Sequence, residues 1–143
     1  EDVVLCVLLA ETPEQRRQGL MRVTDEALGG YDGMLFTFPT DDEGGFWMKD
    51  TLLPLSIAYP DAEGRVVSSS VMVPWPPETD SCPTYPPTGP YRMALEVPQG
   101  GLDDIGLAEG STARVEVGGA CAPLTSAGRE PPRVRAAPAR RAG

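Results

Sequence analysis

Short apolar segments separated by proline and glycine are the feature that most constrains the fold of this chain. Its 143 residues include 16 prolines and 16 glycines, and the longest apolar run, residues 3–10, has the length of one strand. Proline interrupts helices and central strands, while glycine permits tight turns. Many short strands joined by such turns, with one or two small helices, predict a mainly β fold, either a β-sandwich or a partly open barrel.

Several segments predict individual elements. Residues 57–59 and 65–73 flank a turn at Pro60–Gly64 and predict an antiparallel hairpin. Thr12 and Gln15 have the spacing of a capping box, with Pro13 at the first helical position, and predict a helix that ends at Gly19. Further strands are predicted at residues 3–10, 34–38, 91–97 and 112–117, and a second short helix at 102–107.

Chain length and proline content predict the domain organisation. We expect a single β-rich domain at residues 1–122, which contains a stiff surface loop at residues 74–90 with seven prolines. Residues 123–143, rich in Arg, Pro and Ala, have no apolar period and are predicted to form a flexible tail. Deletion of residues 125–143 is therefore expected to leave stability unchanged. Since the sequence does not begin with Met, any signal peptide is expected to have been removed.

Charge argues against nucleic acid as a partner. Residues 1–124 contain 7 basic and 20 acidic side chains, a net charge of −13, whereas residues 125–143 contain five Arg and one Glu, a net charge of +4. An acidic body repels phosphate. No apolar run approaches the roughly 20 residues of a membrane-spanning helix.

The absence of histidine excludes whole classes of chemistry. Without His there is no Ser-His-Asp or Cys-His arrangement and no His-ligated metal. Cys6, Cys82 and Cys121 match no metal-binding spacing. One disulfide plus one thiol, or three thiols, are both compatible with this count, and the pairing stays open. We expect neither a metal nor a cofactor.

The segment Phe46-Trp47-Met48-Lys49-Asp50-Thr51 contains the only lysine of the chain. In an extended segment, Trp47 and Lys49 share one face, where a flat ring beside a cation could hold a polar or anionic ligand. The commoner role of such residues comes first in our expectation: Trp47 is part of the core and Lys49 reaches a nearby carboxylate.

Four segments together resemble the family called domain of unknown function 192. They are residues 14–21, 33–36, 46–51 and 94–100, and the resemblance covers roughly residues 3–118. It implies a small jelly-roll-like β fold that often follows bacterial signal peptides or lipid anchors, and hence an extracytoplasmic location; it implies no established activity. The family commonly has Asn where this chain has Asp50, whose carboxylate could neutralise Lys49.

A binding or interaction module is therefore the expected function, with a small polar, anionic or carbohydrate ligand. The candidate ligand-binding residues are Trp47, Lys49, Asp50, Arg17 and Glu96. Expected partners are a small molecule, a carbohydrate or a protein of the cell envelope, without nucleic acid, and with the membrane involved only through a removed signal or lipid anchor. We expect a monomer.

The alternative function is a hydrolase that works without histidine. It would use Asp50 and Glu96 as a carboxylate pair, or Lys49 as the base for one of several serines, which are Ser56, Ser68, Ser69 and Ser70. In a purely structural role, Glu96 would instead pair with Arg92 or Arg17.

Overall fold

This computed structural model describes residues 3–75, 81–116 and 133–138. These residues contain nine strands and two short helices. A single 3-10 turn, Leu28–Gly30, precedes the second strand. In chain order the elements are β1 Val3–Ala10, α1 Pro13–Gln18, β2 Gly33–Asp42, β3 Phe46–Trp47, β4 Leu55–Pro60, β5 Val66–Met72, β6 Thr84–Tyr85, β7 Tyr91–Pro98, α2 Gly101–Asp104, β8 Thr112–Glu116 and β9 Arg133–Ala137.

The main sheet has seven strands in the order β5-β4-β7-β2-β1-β9-β8. β1 and β2 are parallel, and the other neighbours in this sheet are antiparallel. β3 and β6 form a separate two-stranded sheet. The sheet curls into a partly open barrel with two short helices, so the predicted mainly β fold is confirmed.

The two edges of the seven-stranded sheet meet at one end of the barrel. The Val66 N–H donates to the Ser111 carbonyl over 2.8 Å, and the Ala113 N–H donates to the Gly64 carbonyl over 2.7 Å. Gly64 has φ +85°, and a Cβ at this position would collide with the Ala113 carbonyl oxygen. Glycine therefore permits both the turn and the close approach of the two edges.

Apolar side chains cover both faces of the central strands. One cluster includes Leu35 and Leu95, and the other includes Phe36 and Ala94, so adjacent residues of β2 and of β7 point into different clusters. All six residues of β4 are buried. A side chain on either face of β7 thus lies in an apolar environment, which matters for Glu96 below.

The prediction of a flexible tail at residues 123–143 is wrong for residues 133–137. They form β9, which lies between β1 and β8, and its Val134 and Ala136 are buried in the core. The prediction is wrong for this segment because Val134 and Ala136 alternate with Arg133 and Arg135, which is the period of a strand with one buried face. Because residues 133–137 pair with β1 and β8, we now expect deletion of residues 125–143 to lower stability. Residues 123–132 and 139–143 lie outside the described residues.

The predicted helix at the beginning of the chain is confirmed with its capping box. The Gln15 N–H donates to Thr12 Oγ1 over 3.1 Å, and the Thr12 N–H donates to Gln15 Oε1 over 3.1 Å. The predicted hairpin is formed by β4 and β5. No helix within the described residues combines the length and the hydrophobicity needed to cross a membrane.

The described residues of the proline-rich segment 74–90 form several hydrogen bonds with the barrel and with β3. Residues 76–80 of this segment lie outside the described part of the chain. β6 pairs with β3, and the Tyr59 hydroxyl donates to the Tyr85 carbonyl. The Thr88 N–H donates to Ser68 Oγ over 3.2 Å. This segment therefore packs against the barrel and holds β3, the strand that carries Trp47.

Candidate functional site

A cleft of about 380 Å³ opens between α1 and the β3–β6 sheet. Its volume lies within the range of small-molecule sites. The residues that line it come from α1 and the segment after it, from β2, β3, β6 and β7, and from the turns beside them: Arg16, Arg17, Gln18, Gly19, Leu20, Met21, Phe36, Phe38, Asp42, Gly44, Gly45, Phe46, Trp47, Thr51, Thr84, Tyr91 and Glu96.

Aromatic rings form much of the cleft wall. Phe46 packs edge-on against Phe36 with ring centroids 4.9 Å apart, and Phe38 packs edge-on against Tyr91 at 5.3 Å. Trp47 is 43% exposed, although tryptophan is usually well buried. The wall therefore combines rings held by their neighbours with one indole that is open to a ligand.

Glu96 is the buried carboxyl group of the cleft. It lies on β7 between Met34 of β2 and Ile57 of β4, and only 4% of the residue is exposed. None of the described residues hydrogen-bonds to its carboxyl group or forms an ion pair with it. Burial raises the pKa of Glu96 to about 8, so the side chain is mostly protonated and neutral at pH 7.

The segment between β2 and β3 is fixed in place beside the cleft. The Tyr91 hydroxyl donates to the Gly44 carbonyl over 2.6 Å, and the Gly44 N–H donates to Asp42 Oδ1 over 2.7 Å. A Cβ on Gly45 would lie only 3.0 Å from Thr84 Cβ, so glycine allows β6 to approach at this point. Asp42 is the second carboxyl group of the lining and, unlike Glu96, it is exposed.

α1 supplies two arginines that have different roles. Arg16 Nη1 donates to the carbonyls of Glu11 and Thr37, over 2.7 Å and 2.8 Å, and its guanidinium lies 5.0 Å from the Phe38 ring centroid. Arg16 therefore attaches α1 to β2. Arg17 is exposed at the cleft and, within the described part of the chain, has neither an ion pair nor a side-chain hydrogen bond.

The structure brings together three of the five predicted site residues. Arg17, Trp47 and Glu96 all line the cleft. Because Trp47 is exposed, its assignment to the core is wrong. The alternative pairing of Glu96 with Arg92 or Arg17 is absent from the described residues, and Arg92 lies 2.9 Å from Asp41 instead.

Lys49 and Asp50 lie outside the cleft lining as far as the described residues define it. Lys49 Nζ is 5.6 Å from the Trp47 ring centroid, so the predicted pair of ring and cation does form. Asp50 has φ +55°, which ends the extended segment. Its carboxylate lies 3.9 Å from Arg22 and is directed to that exposed guanidinium.

Sequence reasoning missed the other aromatic residues and the second carboxyl group of the cleft. Phe36, Phe38 and Tyr91 lie on strands that were predicted, but their role required knowing that β2 and β7 are neighbours. Asp42 belongs to the acidic segment Asp41–Glu43, where no pattern distinguishes one carboxylate from the next. The alternation of Phe36 and Phe38 along β2 was the available signal, since both lie on one face.

Comparison with family models places this chain in a family without an assigned activity. The family model of domain of unknown function 192, described as an "Uncharacterized ACR", matches residues 1–115. A protein of unknown function from Novosphingobium aromaticivorans DSM 12444 is similar in structure, with a TM-score of 0.61, 28% sequence identity, and coverage of 73% of this chain and 77% of that chain.

A second similar structure comes from Sinorhizobium meliloti 1021 and is named a "putative transcription regulator". Its TM-score is 0.57 and its sequence identity 26%, with coverage of 75% of this chain and 87% of that chain. No functionally curated protein matches this chain.

Proposed function

Because this chain belongs to the uncharacterised domain of unknown function 192 family, we propose a function from the cleft itself: the protein binds a small polyhydroxylated ligand, a monosaccharide or the end of a glycan. The observation that carries this proposal is the Glu96 carboxyl group, which is buried, has no partner among the described residues and lines an open cleft.

The Glu96 carboxyl group makes no hydrogen bond to a described residue and borders the open cleft, so a ligand there can supply hydrogen bonds to it. A neutral carboxyl group both donates and accepts, and a ligand hydroxyl does the same. Two hydroxyls on adjacent carbons could therefore satisfy Glu96 in both directions. This complementarity favours a polyol over an apolar ligand of the same size.

The aromatic wall supplies the apolar half of the recognition. A sugar ring has an apolar face of C–H groups and a polar edge of hydroxyls, so it suits a site where the exposed Trp47 indole lies in the same cleft as a carboxyl group. Thr51 and Thr84 also line the cleft: the Thr84 hydroxyl can donate and accept, and the Thr51 hydroxyl, which donates to the Lys49 carbonyl over 3.1 Å, can accept.

An extracytoplasmic location fits this proposal. Cys6 forms a disulfide, and disulfides persist in oxidising compartments such as the periplasm and the cell surface. A role on DNA, which would follow the name of the Sinorhizobium meliloti protein, is not part of the proposal, because residues 1–124 carry a net charge of −13.

Replacement of Trp47 tests the proposal. We expect the wild-type protein to bind D-glucose or D-galactose in calorimetric titrations, and Trp47→Ala to weaken binding about tenfold, since loss of one stacking face costs about 1.4 kcal/mol. The matched control is Leu52→Ala, because Leu52 is 46% exposed but lies outside the cleft lining. Equal losses in the two variants, or no binding of either sugar, would contradict the proposal.

A glycoside hydrolase is the second candidate, because two carboxyl groups in different environments line the same cleft. Glu96, whose pKa burial raises to about 8, could protonate the leaving oxygen, while Asp42 takes a proton from the water that attacks the anomeric carbon. We expect the wild type to release nitrophenol slowly from nitrophenyl glycosides, and Asp42→Asn to lose this activity. Asp41→Asn is the control and should keep it, because the Asp41 carboxylate pairs with Arg92. Identical rates in the two variants would rule this activity out.

A further inference from the structure

The Arg17 guanidinium forms no ion pair and no hydrogen bond with the described part of the chain. Its neighbour Arg16 donates hydrogen bonds to two backbone carbonyls and contacts the Phe38 ring. Arg16 thereby attaches α1 to β2. Arg17 lines the cleft, and no described residue accepts a hydrogen bond from its guanidinium or forms an ion pair with it. Five N–H donors are therefore directed to solvent and to the cleft.

The charge balance of the cleft is opposite to that of the body of the protein. The charged or titratable side chains of the lining are Arg16, Arg17, Asp42 and Glu96. Glu96 is mostly neutral at pH 7 because burial raises its pKa to about 8, so two arginines share the lining with one charged carboxylate, that of Asp42. The cleft is thus net positive, whereas residues 1–124 carry a net charge of −13.

The same cleft is lined by this cation and by the groups proposed to bind a polyol. α1 ends at Gln18, and the residues that follow it in the chain, Gly19, Leu20 and Met21, also line the cleft. Trp47 lies in β3, and Glu96 is at the buried end of the lining. A ligand that contacts all three groups needs hydroxyls for Glu96, a ring face for Trp47 and an anionic group for Arg17.

We propose that the ligand is a sugar acid, whose carboxylate forms a bidentate pair with the Arg17 guanidinium while its ring occupies the cleft between Trp47 and Glu96. This inference rests on the proposed function and names its substrate class. Planar guanidinium matches planar carboxylate, and the two parallel hydrogen bonds give orientation as well as affinity. A neutral sugar would fill the same site but leave the Arg17 donors to water.

The test compares sugars that differ only in the carboxylate. D-galacturonate and D-galactose form one pair, and D-glucuronate and D-glucose form the other; each is titrated calorimetrically into the wild-type chain at low salt and at pH 7. We expect the acid of at least one pair to bind about tenfold or more tightly than its neutral partner, as a charge-assisted contact requires. Arg17→Gln should remove this preference, because it should weaken binding of the acid far more than binding of the neutral sugar.

Two control variants separate Arg17 from other cations. Arg22→Gln removes an exposed arginine that lies 3.9 Å from Asp50, and it should keep the preference for the acid. Lys49→Met removes the cation next to Trp47, and this variant should also retain the preference for the sugar acid. If Lys49→Met abolishes the preference while Arg17→Gln does not, the assignment to Arg17 is overturned.

The outcomes distinguish this inference from the function on which it rests. If the wild type binds the neutral sugar and its acid equally, the carboxylate contact is wrong but the polyol-binding function stands. If it binds no member of either pair, the proposed function fails, and the sugar-acid assignment fails with it. Higher salt should lower the affinity for the sugar acid and leave the affinity for the neutral sugar unchanged, because only the contact between charges is screened.

Discussion

Val134→Asp is expected to destabilise the protein by about 4 kcal/mol or more, a large share of the roughly 5–15 kcal/mol that holds a domain folded. Val134 is 1% exposed, and β9 pairs with β1 on one side and with β8 on the other. A carboxylate at this position would be buried without a partner in the apolar cluster that also contains Leu5 and Val7.

Urea unfolding, followed by circular dichroism, measures this effect. The matched control is Val71→Asp on β5, because Val71 is 55% exposed and the same change there should alter the free energy of unfolding by less than about 1 kcal/mol. Removal of residues 133–143 should have an effect at least as large as Val134→Asp, since it deletes the whole strand. Equal urea midpoints for Val134→Asp and Val71→Asp would show that β9 is not part of the stable core.

Glu96→Gln is expected to remove a strong pH dependence of stability. Burial raises the pKa of Glu96 in the folded protein to about 8, against 4.5 for a carboxyl group exposed to water. Between these values the folded protein binds a proton that the unfolded chain has released, so the free energy of unfolding falls as pH rises. At about 1.4 kcal/mol per pKa unit, the wild type should lose up to about 5 kcal/mol between pH 4.5 and pH 8.

Glutamine has the shape of a protonated glutamate and does not titrate, so Glu96→Gln should match the wild type near pH 5 and exceed its stability above pH 8. The experiment is a series of urea unfolding curves from pH 5 to pH 9. Glu109→Gln is the matched control, because Glu109 is exposed and the described residues give its side chain no ion pair. Parallel pH curves for the wild type and Glu96→Gln would show that Glu96 ionises in the native state as it does in water.

Elements whose signals lie within a few residues were predicted correctly. The capping box of α1 involves only Thr12 and Gln15, and the β4–β5 hairpin closes through a turn in which the Asp61 N–H donates to the Arg65 carbonyl over 2.8 Å. Such interactions depend on local geometry, which the order of residues determines directly. Family membership was also visible in the sequence, from four segments in register.

β9 was missed although its alternation of arginine with Val134 and Ala136 was visible. Composition favoured a flexible segment, because prolines and arginines surround it. Whether a short strand is stable depends on neighbours to which it can hydrogen-bond, and β1 is more than a hundred residues away along the chain. The alternation shows which face of a strand could be buried, but it does not show which distant strands are available to pair with it.

The sequence by itself determined the mainly β architecture, the first helix, the acidic body and the exclusion of histidine chemistry. Only the tertiary structure decided that Arg17, Trp47 and Glu96 share one cleft, that Lys49 and Asp50 lie beside it, and that Arg92 pairs with Asp41 and not with Glu96. The physical reason is that burial and charge pairing depend on which strands become neighbours. A glutamate becomes a neutral hydrogen-bonding group only when packing on all sides removes it from water.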